Sequence, residues 1–577
     1  MGTPHLEFAR EGVGLLLFPF RYLWWLLSSI RRSIGKPPEY VVFVLEESPP
    51  ALPDPARPFW QRFTSRQRLS VKELAERFDA IARDSRIKGV VLHLRAIPMP
   101  MATLQDLREL VANLRAARKR VVAWAPFYTT GTYYLACACD EILLMPTGMV
   151  QALGFSSTGV FLADGLARIG LAGDFIQISP YKSAPDVLTK SKMTGEYREQ
   201  LQWLLESNYT ELVTAIGQAR LLDEPGAKRL IDCSPYGDDV AVAEHAVDRV
   251  LAEEQLPQHL ARGGDARVTL GTWERAARKL QRPAPTLGRG KYVALIRIEG
   301  TIVDGRSGRL PVKPPIEVPL VGDERAGDLS VVQTARQVAA DKRAAAVVLY
   351  VNSRGGSSTA SEAMRQSLNV VAARKPVVVV MGPVAGSGGY WVAMPGAWIV
   401  ARPGTLTGSI GVWSGKFVTG ALWAKLLVNR ESVAYGDHVL IESDERPFSD
   451  DERRIIRGDI ERIYRSFLDV VAKARKMTPD ELQPIAQGKV WTGRQALERK
   501  LVDELGGLDA GARKARQLAG LKDDAPVREA RAPKRMIPPL ADAIPAGGWL
   551  GYLLEGLTLL SRAPALAVME YLPTDLA

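Results

Sequence analysis

Ser387 is the residue of this chain best placed to do chemistry. It sits in GPVAGSGGYW (382–391), directly after an apolar β-branched run and at the head of the apolar segment YWVAM. A second glycine-rich loop, NSRGGSS (352–358), occupies the same kind of position. Strand-to-helix turns of this composition aim backbone N–H groups at a helix N-terminus, where negative charge is favoured. They would suit a phosphate or a developing oxyanion. Neither G-x-x-x-x-G-K-[ST] nor G-x-G-x-x-G occurs, which argues against phosphate. An oxyanion site needs a nucleophile beside its donors, and the Ser387 hydroxyl is there, flanked by glycines that admit a substrate backbone. Locally, a serine that merely fills a tight turn would read the same way.

A serine hydroxyl attacks only with help from a base. The histidines are His5, His93, His245, His259 and His438, and none falls at a spacing suited to a metal. His93 reads as a core residue of a strand, His245 as part of the solvated face of a helix, and His438 as a loop residue. The three cysteines, Cys137, Cys139 and Cys233, form neither a zinc site nor a disulfide framework. No metal and no cofactor is therefore expected. The alternative base is a lysine that burial keeps uncharged near neutral pH.

The elements around these loops are legible. VALIRI (293–298), AAVVLYV (345–351), PVVVVMG (376–382) and WIVAR (398–402) are short, β-branched apolar runs, as strands covered on both faces are. TASEAMRQSLNVVAARK (359–375) has helical periodicity, with Thr359 and Glu362 as an expected capping box. Strand, helix and strand at this spacing predict βαβ units and mostly parallel sheets.

The same order occurs twice. YVVFVLEE (40–47), GVVLHL (89–94), AARKRVV (116–122) and AVDRVL (246–251) return as YVALIRIE (292–299), AVVLYV (346–351), AARKPVV (372–378) and LVDELG (501–506). The offset stays near 255 residues throughout, so the body is one α/β domain used twice. The expected division is 1–36, a membrane segment; 37–281, the first repeat; 282–289, a Pro/Gly linker; 290–530, the second repeat; and 531–577, a tail. A chain of 577 residues, 46% hydrophobic and 24% charged, builds such cores without disulfides. Its net charge of +11 fits a surface facing anionic lipid. No basic run with interleaved aromatics points to nucleic acid.

The ends are distinctive. VGLLLFPFRYLWWLLSSI (13–30) reads as an uncleaved membrane anchor, tilted through the bilayer or lying in its interface, with Pro19 and Arg21 near its middle. Arg31, Arg32 and Lys36 follow it, which on the positive-inside rule leans towards a cytoplasmic body. Pro/Ala-rich sequence begins near residue 524, and the apolar stretch 549–572 could dock on a membrane, a partner subunit or the core.

Four segments together carry a family resemblance: PYKSAPD (180–186), NSRGG (352–356), PVAGSGGYWVAMPGAWIVARPGTLTGSIGVW (383–413) and VWTGRQALERKLVDELGGLD (490–509). They resemble the signal peptide peptidase A family of S49-like peptidases in its double-length form. The resemblance implies two ClpP/crotonase-like domains and a Ser/Lys dyad that cleaves remnant signal peptides and other peptides. It places the nucleophile on Ser387 and the base on Lys182, with Ser409 orienting the lysine. The oxyanion hole falls to Gly388 with Gly355 or Gly356. It further implies a homo-oligomeric ring, for example a tetramer, at the bacterial inner membrane with an extracytoplasmic body. That side disagrees with the positive-inside reading. Arg354 departs from the family, which usually has proline there.

The duplication tests this from within. Ser387 aligns with Thr130, and Gly355-Gly356 with Pro98-Met99, so the first copy lacks the serine and has a proline in place of an N–H donor. Tyr181-Lys182 aligns with Tyr435-Gly436, so the second copy lacks the lysine. Each copy keeps the half the other has lost, which predicts that Lys182 reaches Ser387 from one copy to the other. The competing readings are a crotonase-type acyl-CoA enzyme and a catalytically decayed membrane scaffold.

Overall fold

The computed structural model describes residues 18–32, 35–54, 68–261, 266–281, 284–285, 290–309, 324–531, 566–569 and 575–576. They form two compact units. The first gathers the chain up to Phe155, Tyr209–Gly290 and Asp575–Ala577; the second gathers Ser156–Asn208 and Lys291–Thr574.

In the first unit the sheet order is Tyr236–Gly237, Glu141–Gln151, Arg120–Thr129, Gly89–Leu94, Tyr40–Leu45, Leu270–Thr272. In the second it is Val490–Thr492, Leu406–Gly408, Val377–Gly386, Ala344–Ser353, Tyr292–Glu299, Val527–Glu529. Strand for strand these are the same order, so the repeat read from sequence is a repeat of topology. The four inner strands of each sheet run parallel. Their β-branched runs are buried on both faces; Val377–Val380, for instance, are at most 1% exposed. The fold is thus mixed α/β with mostly parallel sheets.

The structure corrects several expectations. Residues 156–208 belong to the first repeat by sequence but to the second unit by packing, so Lys182, which the first repeat supplies, meets Ser387 of the second repeat within one unit. Val527–Glu529, within the Pro/Ala-rich region, pairs in parallel with Tyr292–Glu299 as an edge strand. The helix expected at 359–375 starts at Ser358, one residue early, and Ser357 caps it by accepting from Ala360 N–H. Glu362 is therefore not a capping-box partner. Its carboxylate takes bonds from Arg365, Gln366 and the Trp391 indole instead. As for the anchor, residues 18–32 are helical, and no described helix is long and apolar enough to cross a membrane. Those 15 residues rise about 22 Å, short of the roughly 30 Å hydrocarbon core. Residues 13–17 and most of 549–572 lie outside the described residues.

One helix holds the second unit's core against its site. Asp450–Arg475 buries Ile460, Ile463, Tyr464, Phe467 and Val471 along one stripe. The Phe467 ring stacks on Trp391, four residues after Ser387, at 4.3 Å. Ser449 and Glu452 close a capping box at the helix start. Arg446 Nη1 and Nη2 both donate to the Glu452 carboxylate, at 2.7 and 2.8 Å. Chiefly for that reason, the Glu452 carboxyl is held down from 4.5 to about 2. A carboxyl held below its unfolded value contributes stability above that value and loses it as pH falls through the folded one. Thermal melts of Glu452→Gln beside wild type should show wild type ahead by a few degrees near neutral pH. The gap should narrow from about pH 4.5 and close near pH 2.

Candidate active site

The strand Val377–Gly386 delivers Ser387 to the start of the helix Gly388–Ala393. Ser387 has φ 55° and ψ −117°, a conformation that glycine favours and other residues adopt at a cost of about 1–3 kcal/mol. The surroundings impose it. Ser387 N–H donates to Gly408 O at 2.8 Å, and Ser387 O accepts from Trp391 N–H at 2.9 Å. Strand Leu406–Gly408 is in parallel register with Val384–Gly386, and Thr407 Oγ1 donates to Ala385 O at 2.7 Å.

Ser409 continues that neighbouring strand with φ 50°, also left-handed. Its N–H donates to Lys489 O at 2.7 Å, and Gly488 N–H to Ile410 O at 2.7 Å. Lys182 arrives on the loop after the strand Ala172–Gln177, which runs antiparallel to Trp413–Val418. Lys182 N–H donates to Ser179 O at 3.1 Å, and the Ser179 hydroxyl donates to Gln487 O.

These elements bring three sequence-selected side chains together. Lys182 Nζ donates to Ser387 Oγ at 2.8 Å, to Ser409 Oγ at 2.8 Å and to Ser409 O at 3.1 Å. Ser387 Oγ in turn donates to Gly411 O at 3.3 Å. Lys182, Ser387 and Ser409 are all 0% exposed. Asp186 lies four residues beyond the lysine, and burial pushes its carboxyl up.

The glycines are placed as follows. Gly388 is the first residue of its helix, where an N–H has no acceptor within the helix. Gly355 N–H donates to Ser353 Oγ at 3.1 Å. The strand Gly355–Ser357 is paired on one edge with Thr301–Val303 and on the other with Leu566–Val568. A Cβ on Gly356 would overlap the carbonyl oxygen of Ile302. Backbone cannot yield there, so Gly356→Ala should lower stability by about 1–3 kcal/mol in denaturant titrations.

Sequence reasoning missed Gln487–Lys489. A Cβ on Gly488 would stand 2.7 Å from the Cα of Lys182, and the neighbouring carbonyls hold Ser179 and Ser409. The only sequence signal is the glycine in QGKVW (487–491). In the first unit, Thr130 follows strand Arg120–Thr129 where Ser387 follows its own. Its hydroxyl donates to Gln151 O at 3.4 Å and accepts from Leu153 N–H at 3.1 Å, a structural use. Tyr435, aligned with Tyr181, is 91% exposed. His93 is buried with its ring edge-on to Trp124 at 4.5 Å, while His245 and His438 are exposed.

Comparison with known proteins bears on this arrangement. The model of peptidase family S49 matches residues 113–267 and again 369–522. Protease 4 of Salmonella typhi is 33% identical over 485 residues, spanning 79% of this chain and 74% of its own length. Protease 4 of Haemophilus influenzae is 28% identical, across 77% of this chain and 72% of its own. The chloroplastic serine protease SPPA of Arabidopsis thaliana is 28% identical over 78% of this chain, which spans 66% of that longer protein. The family match falls once on each repeat, and the likeness to the Salmonella protein runs through most of both chains: this protein belongs to peptidase family S49 and is a serine peptidase.

Proposed function

We propose that Ser387 is the acyl-accepting nucleophile and Lys182 its general base. The observation that carries this reading is the 2.8 Å approach of Lys182 Nζ to Ser387 Oγ between two fully buried side chains. Burial disfavours an ammonium more than an amine. Ser409 takes two N–H bonds from the lysine, through its hydroxyl and its carbonyl, which orients the nitrogen lone pair towards the serine.

The reaction then runs in two halves. The Ser387 oxygen bonds to the scissile carbonyl carbon as its proton passes to Lys182. The carbonyl oxygen becomes an oxyanion, held by N–H groups of Gly388 and of the Gly355-Gly356 loop. The C–N bond breaks, and Lys182 returns the proton to the departing amine. Lys182 then takes a proton from water, whose oxygen attacks the acyl carbon; the C–Oγ bond breaks, and Lys182 returns the proton to Ser387 Oγ.

The substrates in this reading are remnant signal peptides and other peptides of apolar character. The helical residues 18–32 support a membrane-associated body. They expose Phe20, Leu23, Trp24, Leu27 and Ile30, with Arg31 and Arg32 at the end, a composition that seats in a lipid interface. Closed rings of protomers on a bacterial inner membrane complete the proposal. Mass spectrometry of products from a signal-peptide mixture tests it. Wild type should cut within apolar segments, Ser387→Ala should leave the mixture intact, and equal products from both would contradict the assignment.

A further inference from the structure

Behind Lys182 runs a turn that grips both of the lysine's neighbours. Gln487, Gly488 and Lys489 lie between the short helix Gln483–Ile485 and the strand Val490–Thr492. Gln487 O accepts from the Ser179 hydroxyl, and Ser179 O accepts from Lys182 N–H at 3.1 Å. Lys489 O accepts from Ser409 N–H, and Gly488 N–H donates to Ile410 O, both at 2.7 Å. Lys489 N–H closes the turn on Ala486 O at 3.0 Å. One turn thus holds the loop that carries the base and the residue that bonds its nitrogen. It also lies against the base itself: a Cβ on Gly488 would stand 2.7 Å from both Cα and Cβ of Lys182.

Local preference does not make this turn. Gln487 has φ 58° and Gly488 φ 81°, two left-handed residues in succession. Glycine enters that region freely and glutamine does not. Gln487 is held there in part through its own N–H, which donates to the Tyr464 hydroxyl at 3.1 Å. Tyr464 is buried on the helix Asp450–Arg475. Three residues on, and so on the same face of that helix, Phe467 stacks on Trp391, whose N–H donates to Ser387 O. One helix therefore supports the nucleophile's turn with one ring and the base's turn with another.

We propose that Tyr464 is a positioning residue for the dyad: its hydroxyl, acting through Gln487, sets where Lys182 Nζ stands relative to Ser387 Oγ. The inference rests on the reading of Ser387 and Lys182 as nucleophile and base. Proton transfer from serine to lysine needs the two atoms within about 2.6–3.2 Å, and they stand 2.8 Å apart. Phenylalanine at 464 keeps the ring and its packing but leaves the Gln487 N–H without its acceptor. The turn then relaxes, and a shift of the lysine by a fraction of an ångström costs rate, not substrate affinity.

Steady-state kinetics on one fluorogenic apolar peptide test this. Tyr464→Phe should lower kcat about tenfold and leave KM within about twofold of wild type. Ser179→Ala, which severs the turn's bond to the lysine loop, should show the same split and serves if Tyr464→Phe does not fold. Tyr236→Phe is the control for a lost buried hydroxyl, since Tyr236 Oη donates to Leu230 O at 2.8 Å in the first unit. Thermal melts of Tyr464→Phe and Tyr236→Phe should fall alike by a few degrees, while Tyr236→Phe keeps kcat within about twofold. In a Lys182→Met background, Tyr464→Phe should cost nothing further, because it acts through the lysine. A tenfold loss that persists in that background, or a Tyr464→Phe enzyme no slower than Tyr236→Phe, would overturn the positioning role. A Lys182→Met enzyme with wild-type kcat would instead sink the dyad reading on which that role rests.

Discussion

Ser387→Ala is expected to lower kcat by about 10⁴–10⁶ and to abolish labelling by a fluorophosphonate probe. The size follows from the proposed role: the Ser387 hydroxyl, 2.8 Å from Lys182 Nζ, is the atom that bonds to the substrate carbonyl. The fold should survive. Ser387 is held by its backbone bonds to Gly408 and Trp391, which alanine keeps. The positive φ is as strained for alanine as for serine, so a thermal melt should move by only a few degrees. Loss of activity with an unchanged melt is the expected pair of results.

Lys182→Met should cost about 10³–10⁵ in kcat/KM and also suppress probe labelling. Methionine fills much of the lysine's volume without a charge to desolvate, so the variant should be at least as stable as wild type. Lys182→Arg should not restore activity, because a guanidinium stays protonated at any working pH. The wild-type pH profile follows from the same role. The base works in its uncharged form and is lost on protonation, so kcat/KM should climb about tenfold per pH unit on the acidic limb and level off towards alkaline pH. A merely structural lysine would change the melt and leave that limb in place.

Much of this was readable from residues. The β-branched runs at 293–298, 345–351, 376–382 and 398–402 became strands because burial on both faces selects that composition. Ser387 was legible as a candidate because glycines flank it after such a run, but the family resemblance, not the turn alone, separated it from a serine that merely fills a turn. The family resemblance named Lys182, and the complementary losses at Thr130 and Gly436 supported it without any geometry. What could not be read was non-local. The complementary losses predicted that Lys182 meets the second repeat, but nothing in residues 156–208 says that the whole segment packs there, since a parallel repeat unit looks alike whichever copy it joins. The role of Gly488 depends on its approach to Lys182, some three hundred residues earlier in sequence. Leu566–Val568 sits in an apolar stretch that suits a membrane, a partner or the core, and only strand pairing distinguishes these. The capping expectation at Thr359 failed by a local competition: Ser357 reaches the Ala360 N–H first, and Trp391 and Arg365 claim Glu362.

A double-mutant cycle in kcat/KM on one peptide reads the coupling of Ser387 and Lys182 directly. If the lysine acts only through the serine, Ser387→Ala, Lys182→Met and the double variant should all fall to nearly the same residual rate, the double no worse than about threefold below Ser387→Ala. Losses that multiply in the double variant, or a Lys182→Met enzyme that keeps more than about a tenth of wild-type activity, would contradict a Ser387–Lys182 dyad.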